Sequence, residues 1–312
     1  MGSGSYSSTL DSVTNTVVYD SSIRDSRLKS TGMDYNTKSH SEIFSKRTLS
    51  HKMNPKGIMV RESKDSDEHP ESLSIIIGLD TTGSMGQIPL YLVREGLPKT
   101  MGRIIQRGEQ HPQVLFLGIG DHECDTAPLQ VSQFESSDEL LDKWLTDVYL
   151  EAGGGGNQGE SYLLAWYFAA FHTHIDCFEK RQRKGFLFTI GDEKTLKTLP
   201  SKVIESLMGP GQYSDYSAME LLGKAREKYN VYHIHVCETG QGHKQENKDD
   251  WKQIMGDNLI LAEKHQDIST IIADIITSKS EQATLTEKQE TKDDVDKETE
   301  KVDKPKKQKI SL

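Results

Sequence analysis

The sequence predicts an α/β protein built on a doubly wound, mostly parallel sheet with one antiparallel strand. Three observations carry that expectation. Ser74–Leu79 and Val114–Ile119 are short, continuously apolar runs, the pattern of strands buried on both faces rather than one. Strand-like and helix-like stretches alternate from Ser72 to Ile276, which is the signature of βαβ units. Leu129–Phe134 follows the second strand after a connection too short for a crossover helix, so it is expected to pair antiparallel.

The remaining elements follow in order. Pro89–Gln106 has helical spacing of Leu90, Val93, Leu97, Met101 and Ile104–Ile105, with a kink expected at Pro98, whose ring removes a backbone donor. Asp138–Tyr149 and Glu160–Phe171 read as helices, the second with an apolar face of Leu163, Leu164, Tyr167 and Phe171. Gly185–Ile190 and Val231–Val236 read as strands. The helix between them opens with a capping-box pattern, Ser217-x-x-Glu220. Asn258–Leu261 is expected to be a short last strand and Ile268–Ile276 a closing helix, giving the order β-α-β-β-α-α-β-α-β-β-α. No internal repeat is visible.

Composition divides the chain into a Ser/Thr-rich N-terminal extension (1–71), a central α/β domain (72–277) and a charged tail (278–312). Ser278–Leu312 has no aromatic residue and nine Lys against nine Asp or Glu, so it cannot bury enough apolar area to order itself. It is expected to be disordered, with a solitary charged helix as the alternative. The first fifty or so residues are similarly poor in large apolar side chains. Thr16–Tyr19 could add a strand or wrap the main domain, and periodicity does not decide. Met1–Ser5 reads like a linker.

At 312 residues and 34% apolar, the chain can bury a sizeable core, which excludes disorder throughout. No run approaches the roughly 18 apolar residues of a membrane span, and Met1–Thr9 lacks the basic and apolar regions of a secretory signal. Net charge −10 weighs against a nucleic-acid groove. Cys124, Cys177 and Cys237 are too widely spaced for a disulfide framework, so reduced thiols in a cytoplasmic compartment are expected.

Doubly wound sheets place their sites at the carboxyl ends of the strands. There, after the first strand, stands Asp80-Thr81-Thr82-Gly83-Ser84-Met85-Gly86. A Walker A loop is excluded: Gly78 and Gly83 have its spacing, but Ser84 holds the lysine position. Gly154 and Gly159 repeat the pattern with Glu160 there, whose charge would repel phosphate. An aspartic-protease loop would need Asp-Thr-Gly, and a phosphoryl-aspartate phosphatase a second carboxylate where Thr82 stands. Metal binding fits better. Asp80, Thr82 and Ser84, at i, i+2 and i+4, can point one way in a roughly extended loop. Gly83 and Gly86 let the backbone fold around a small object. One carboxylate and two hydroxyls are hard oxygen ligands suited to Mg²⁺, less often Mn²⁺ or Ca²⁺.

The pattern Asp-x-Thr-x-Ser, closing a buried strand and opening a helix, resembles the metal-ion-dependent adhesion site of von Willebrand factor A domains. The resemblance covers about Ser72–Ile276. It implies an acidic loop at the end of a later strand, here Ile190-Gly191-Asp192-Glu193, with Asp192 as a carboxylate that reaches the metal through water or holds its direct ligands. It also implies a middle loop that usually carries a Thr. That position falls on Gln158, after Gly153–Gly156 and Asn157, a departure that leaves Asn157 and Gln158 as outer ligands at most. Arg61–Pro70 further resembles the lead-in of some bacterial and phage-encoded members, which would place the chain in the host cytoplasm or a virion. The family's cytosolic members often work beside a ring-shaped AAA ATPase, a partner implied by resemblance alone.

Charge counting points to the guest. With Asp80 as the direct carboxylate, a divalent ion stays electron-poor and favours the Asp or Glu of a protein partner as its last ligand. A metal-dependent hydrolase is the rival, with Asp121, His122 or Glu193 supplying the base. A virion or scaffold component with a structural metal is a third reading. Asp121 is otherwise expected to complete its loop or sit in the outer shell. His233, His235 and Cys237 share a strand face, but with no fourth ligand they read as core rather than zinc ligands.

Overall fold

A computed structural model describes residues 5–11, 16–151 and 159–280. Its central sheet has six strands: β1 (Leu73–Asp80), β2 (Pro112–Ile119), β3 (Leu129–Val131), β4 (Gly185–Gly191), β5 (Tyr229–Val236) and β6 (Leu259–Ala262). They lie in the order β6-β5-β4-β1-β2-β3. Every neighbouring pair is parallel except β2 and β3, where Ile119 faces Leu129 antiparallel. The short connection thus dictates the one reversed strand, as expected.

The main helices are α1 (Ser21–Ser30), α2 (Leu97–Gln106), α3 (Asp138–Asp147), α4 (Leu163–Phe171), α5 (Ser201–Met208), α6 (Ala218–Lys228), α7 (Gln245–Met255) and α8 (residues 268–280). Alternation along β1 assigns the two faces. Ile75, Ile77 and Leu79 join one core with α2 and α8, while Ile76 joins the other with α4, α6 and α7. The capping box forms as read: the Glu220 N–H donates to Ser217 Oγ at 3.2 Å and the Ser217 N–H to Glu220 Oε2 at 2.8 Å.

Three expectations change. The β5-to-β6 connection contains α7, because two parallel neighbours need a crossover element. Helix α5 likewise precedes the capped helix. Helix α4 starts at Leu163, leaving Glu160 outside it in a bridge to Thr195. The N-terminal stretch packs onto the main domain, the alternative left open by its sequence, and Thr16–Tyr19 pairs with Ser8–Asp11 rather than joining the central sheet. Its apolar residues are few but large, and Tyr6, Tyr19, Leu28, Tyr35, Ile43 and Phe44 all enter the core. The predicted tail falls outside the described residues from 281 onward, and 278–280 continue α8.

The kink at Pro98 takes a specific form. Ile88–Tyr91 is α-helical, Leu92–Gly96 is a single π turn, and α2 follows. The Leu97 N–H reaches back to Leu92 O, and Pro98 has no N–H to offer, so the buried Val93 carbonyl gets no donor from either. Arg24 Nη2 of α1 donates to it at 2.8 Å. The same guanidinium holds Asp142 of α3 through two bonds, at 2.5 and 3.2 Å.

The chain passes from β1 to β2 on one side of the sheet and returns to β4 on the other. The switch in strand order therefore lies between β1 and β4, whose carboxyl ends carry Asp80 and Asp192.

Candidate metal centre

Asp80 closes β1 fully buried. The loop after it is not extended but winds as one 3-10 turn over Gly83–Met85, then reverses at Gly86, whose φ of 50° favours glycine. Asp80 Oδ1 accepts the Thr82 N–H at 2.9 Å and the Thr82 hydroxyl at 2.6 Å. Its Oδ2 accepts the Tyr162 hydroxyl at 2.7 Å. Ser84 Oγ donates to Asp192 Oδ1 at 2.9 Å. The turn thus brings two hydroxyl–carboxylate pairs, Thr82 with Asp80 and Ser84 with Asp192, side by side across the switch point. The backbone of the Asp192 loop is fixed from behind, Asn247 Nδ2 donating to Asp192 O at 3.3 Å and Trp251 Nε1 to Glu193 O at 2.7 Å.

The protons in those pairs orient the oxygens. A hydroxyl has one hydrogen, and those of Thr82 and Ser84 go to carboxylates, leaving lone pairs unengaged. The two hydroxyl oxygens stand 3.3 Å apart. That is close to the spacing of adjacent ligands around a hard cation, about 3 Å for oxygens bound at about 2.1 Å. Asp192 Oδ2 is buried with no hydrogen-bond partner. Two oriented hydroxyls and an orphaned carboxylate oxygen fit a Mg²⁺-type ion. Among the described residues no three or more His, Cys, Asp or Glu are gathered to hold a metal, so an ion here depends on the hydroxyls. His233 and His235 are buried core residues, His233 stacked on Trp251 at 3.5 Å and His235 Nε2 paired with Gly242 O.

The electrostatics are one-sided. Burial, and then the charge of Asp192, push the Asp80 carboxyl up despite the Thr82 and Tyr162 bonds. Burial and Asp192 also raise Glu193, with Lys244 offsetting part of the effect. Glu160 is raised by burial and then by Asp80, Asp125, Glu193 and Asp121. Such a field favours an incoming cation.

Asp121 is buried at the start of the loop after β2, where its Oδ1 accepts the Glu123 N–H at 2.8 Å. His122 Nδ1 lies 2.8 Å from Ser161 Oγ. Asn157, Gln158 and the Gly153–Gly156 run lie outside the described residues. Sequence reasoning missed Tyr162 and Glu160. Tyr162 looks like one more apolar residue at the head of α4, while Glu160 offered a signal, an acid closing a glycine-rich loop.

Gly191 leaves room for this arrangement, since a Cβ there would overlap the Tyr162 hydroxyl. Gly191→Ala is expected to cost about 1–3 kcal/mol by overpacking and to separate Tyr162 from Asp80. Urea unfolding together with a Mg²⁺ titration checks both, and an unchanged midpoint would contradict the close approach.

No family profile matches the chain, and no curated protein does. Among solved structures it is similar to proximal thread matrix protein 1 from the mussel byssus, at 13% identity and TM-score 0.44, over 66% of this chain and 47% of that one. Another structure of that protein, described with a zinc-occupied MIDAS motif, aligns at 14% identity and TM-score 0.42 over the same shares. The pilus adhesin SpaC from Lactobacillus rhamnosus GG aligns at 10% identity and TM-score 0.45, over 70% of this chain and 31% of that one. The chain spans less than half the length of each. Among the described residues no helix is long and apolar enough to cross a membrane.

Proposed function

We propose that the chain is a non-enzymatic, divalent-cation-dependent protein-binding module. Asp80, Thr82, Ser84 and Asp192 hold Mg²⁺, or Mn²⁺ or Ca²⁺ in its place, and an Asp or Glu of the partner completes the coordination. The observation that carries this reading is that the Thr82 and Ser84 hydroxyls donate to Asp80 Oδ1 and Asp192 Oδ1 while Asp192 Oδ2 stays without a partner, which leaves acceptor oxygens unengaged at the strand ends. When bound, the ion supplies an electron-poor centre for an anionic oxygen. Tyr162 keeps Asp80 oriented, and Asn247 and Trp251 hold the Asp192 loop.

A cleft of about 460 Å³ opens beside the loop at Thr82 and Gly83, with Lys46 and Arg47 of the N-terminal extension on its wall. Lys46 is paired with Asp147 at 2.8 Å and Glu151 lines the same cleft, so Arg47 is the cation placed to meet an acidic segment. An array of Asp- and Glu-containing peptides with their Asn and Gln counterparts tests the reading. Retention of the acidic peptides is expected in Mg²⁺ and not in EDTA, and the amide forms are expected to be lost in both. Retention indifferent to chelator rejects the reading. Mg²⁺-dependent turnover in a phosphoesterase panel, abolished by Asp121→Asn, would replace it with a hydrolase.

A further inference from the structure

Two buried carboxylates stand outside the four-residue set. Asp121 is 1% exposed and Glu160 6%. Each has one oxygen, Asp121 Oδ2 and Glu160 Oε2, that is buried without a hydrogen-bond partner. Their backbones run side by side, the Ser161 N–H donating to Gly120 O at 3.0 Å and the His122 N–H to Ser161 Oγ at 2.8 Å. Both are held in place. Glu160 is pinned by its N–H to Lys194 O at 2.8 Å and by the Leu196 N–H to its carbonyl at 2.9 Å. Asp121 is pinned through Oδ1 by Glu123 and through its N–H to Asp125 Oδ2 at 2.7 Å.

An ionised carboxylate buried without a partner is costly, and two together more so. A bound cation gives these oxygens the partner they lack. Burial and neighbouring carboxyls keep protons on Glu160 and Asp80 in the metal-free chain, and a cation that binds there displaces them.

We infer that a second divalent cation binds between Asp121 and Glu160, beside the ion of the Asp80 loop. The inference rests on the reading of that first site. Mg²⁺ and Mn²⁺ suit the place, because Mg²⁺ is commonly bound through one or two carboxylates with water filling its other positions. Such an ion keeps exchangeable water ligands that an acidic guest can replace.

Calorimetric titration of the full chelator-stripped chain with Mn²⁺ tests this. The wild type is expected to take up two equivalents, and Glu160→Gln and Asp121→Asn one each. Glu160→Gln is also expected to keep the metal-free thermal midpoint, because a neutral amide replaces a carboxyl that holds its proton; this separates lost binding from lost folding. A single wild-type equivalent, with an affinity that Glu160→Gln leaves within twofold, overturns the second ion and leaves the first site standing. Failure of the first site reads differently, as a titration that Asp80→Asn does not alter.

Discussion

Replacing Arg24 by Ala is expected to destabilise the protein by about 3 kcal/mol, the low end of the range for breaking a buried ion pair. The guanidinium is 2% exposed and its partner Asp142 1%. Burial pushes the Asp142 carboxyl above its ordinary range, and Arg24 and Arg27 counter only part of that. Removing Arg24 leaves Asp142 with Arg27 alone, at 2.7 Å, and strips the Val93 carbonyl of its donor. The intact pair need not add much net stability, since its own desolvation opposes its attraction. The double variant Arg24→Met, Asp142→Leu is therefore expected to recover part of the loss, the remainder being the Val93 carbonyl still without its donor. Urea unfolding of the three proteins measures both effects. A single-variant cost below about 1 kcal/mol, the range of exposed pairs, would contradict the burial argument.

Asp80→Asn is expected to act with opposite signs in two buffers. In EDTA its thermal midpoint equals or exceeds the wild type, because the variant no longer buries a carboxylate against Asp192. With Mg²⁺ at a hundred times its dissociation constant, the wild type gains about 2.7 kcal/mol by mass action. The variant gains nothing measurable. Thermal scans of both proteins in both buffers give the four midpoints required, and an equal Mg²⁺ shift in the two proteins would remove Asp80 from the ligand set.

Much of this architecture is legible in the amino acids. Strands β1 and β2 announce themselves because burial on both faces forces unbroken apolar runs. The reversed β3 follows from a connection too short to cross the sheet. Asp80, Thr82 and Ser84 are readable because their spacing is local, and Asp192 because it ends another such strand. Tertiary placement hides the rest. Helix α7 buries little more than Asn247, Trp251 and Met255 of its eleven residues, so its polar remainder masks it. Tyr162 and Glu160 reach the rim only because α4 begins beside the β4 loop. The N-terminal packing stays undecided under a composition argument that counts apolar residues without weighing the area a tyrosine covers.

Pro98 has a consequence for anyone cutting the gene. Every side chain proposed to bind a cation lies after Leu73, so a fragment starting there would keep all the cation ligands while losing Lys46 and Arg47 from the cleft wall. It would also begin with a bare carbonyl at Val93, which the full chain serves from a donor sixty-nine positions earlier. The smallest piece able to bind and the smallest piece able to hold its shape are different lengths of this polypeptide.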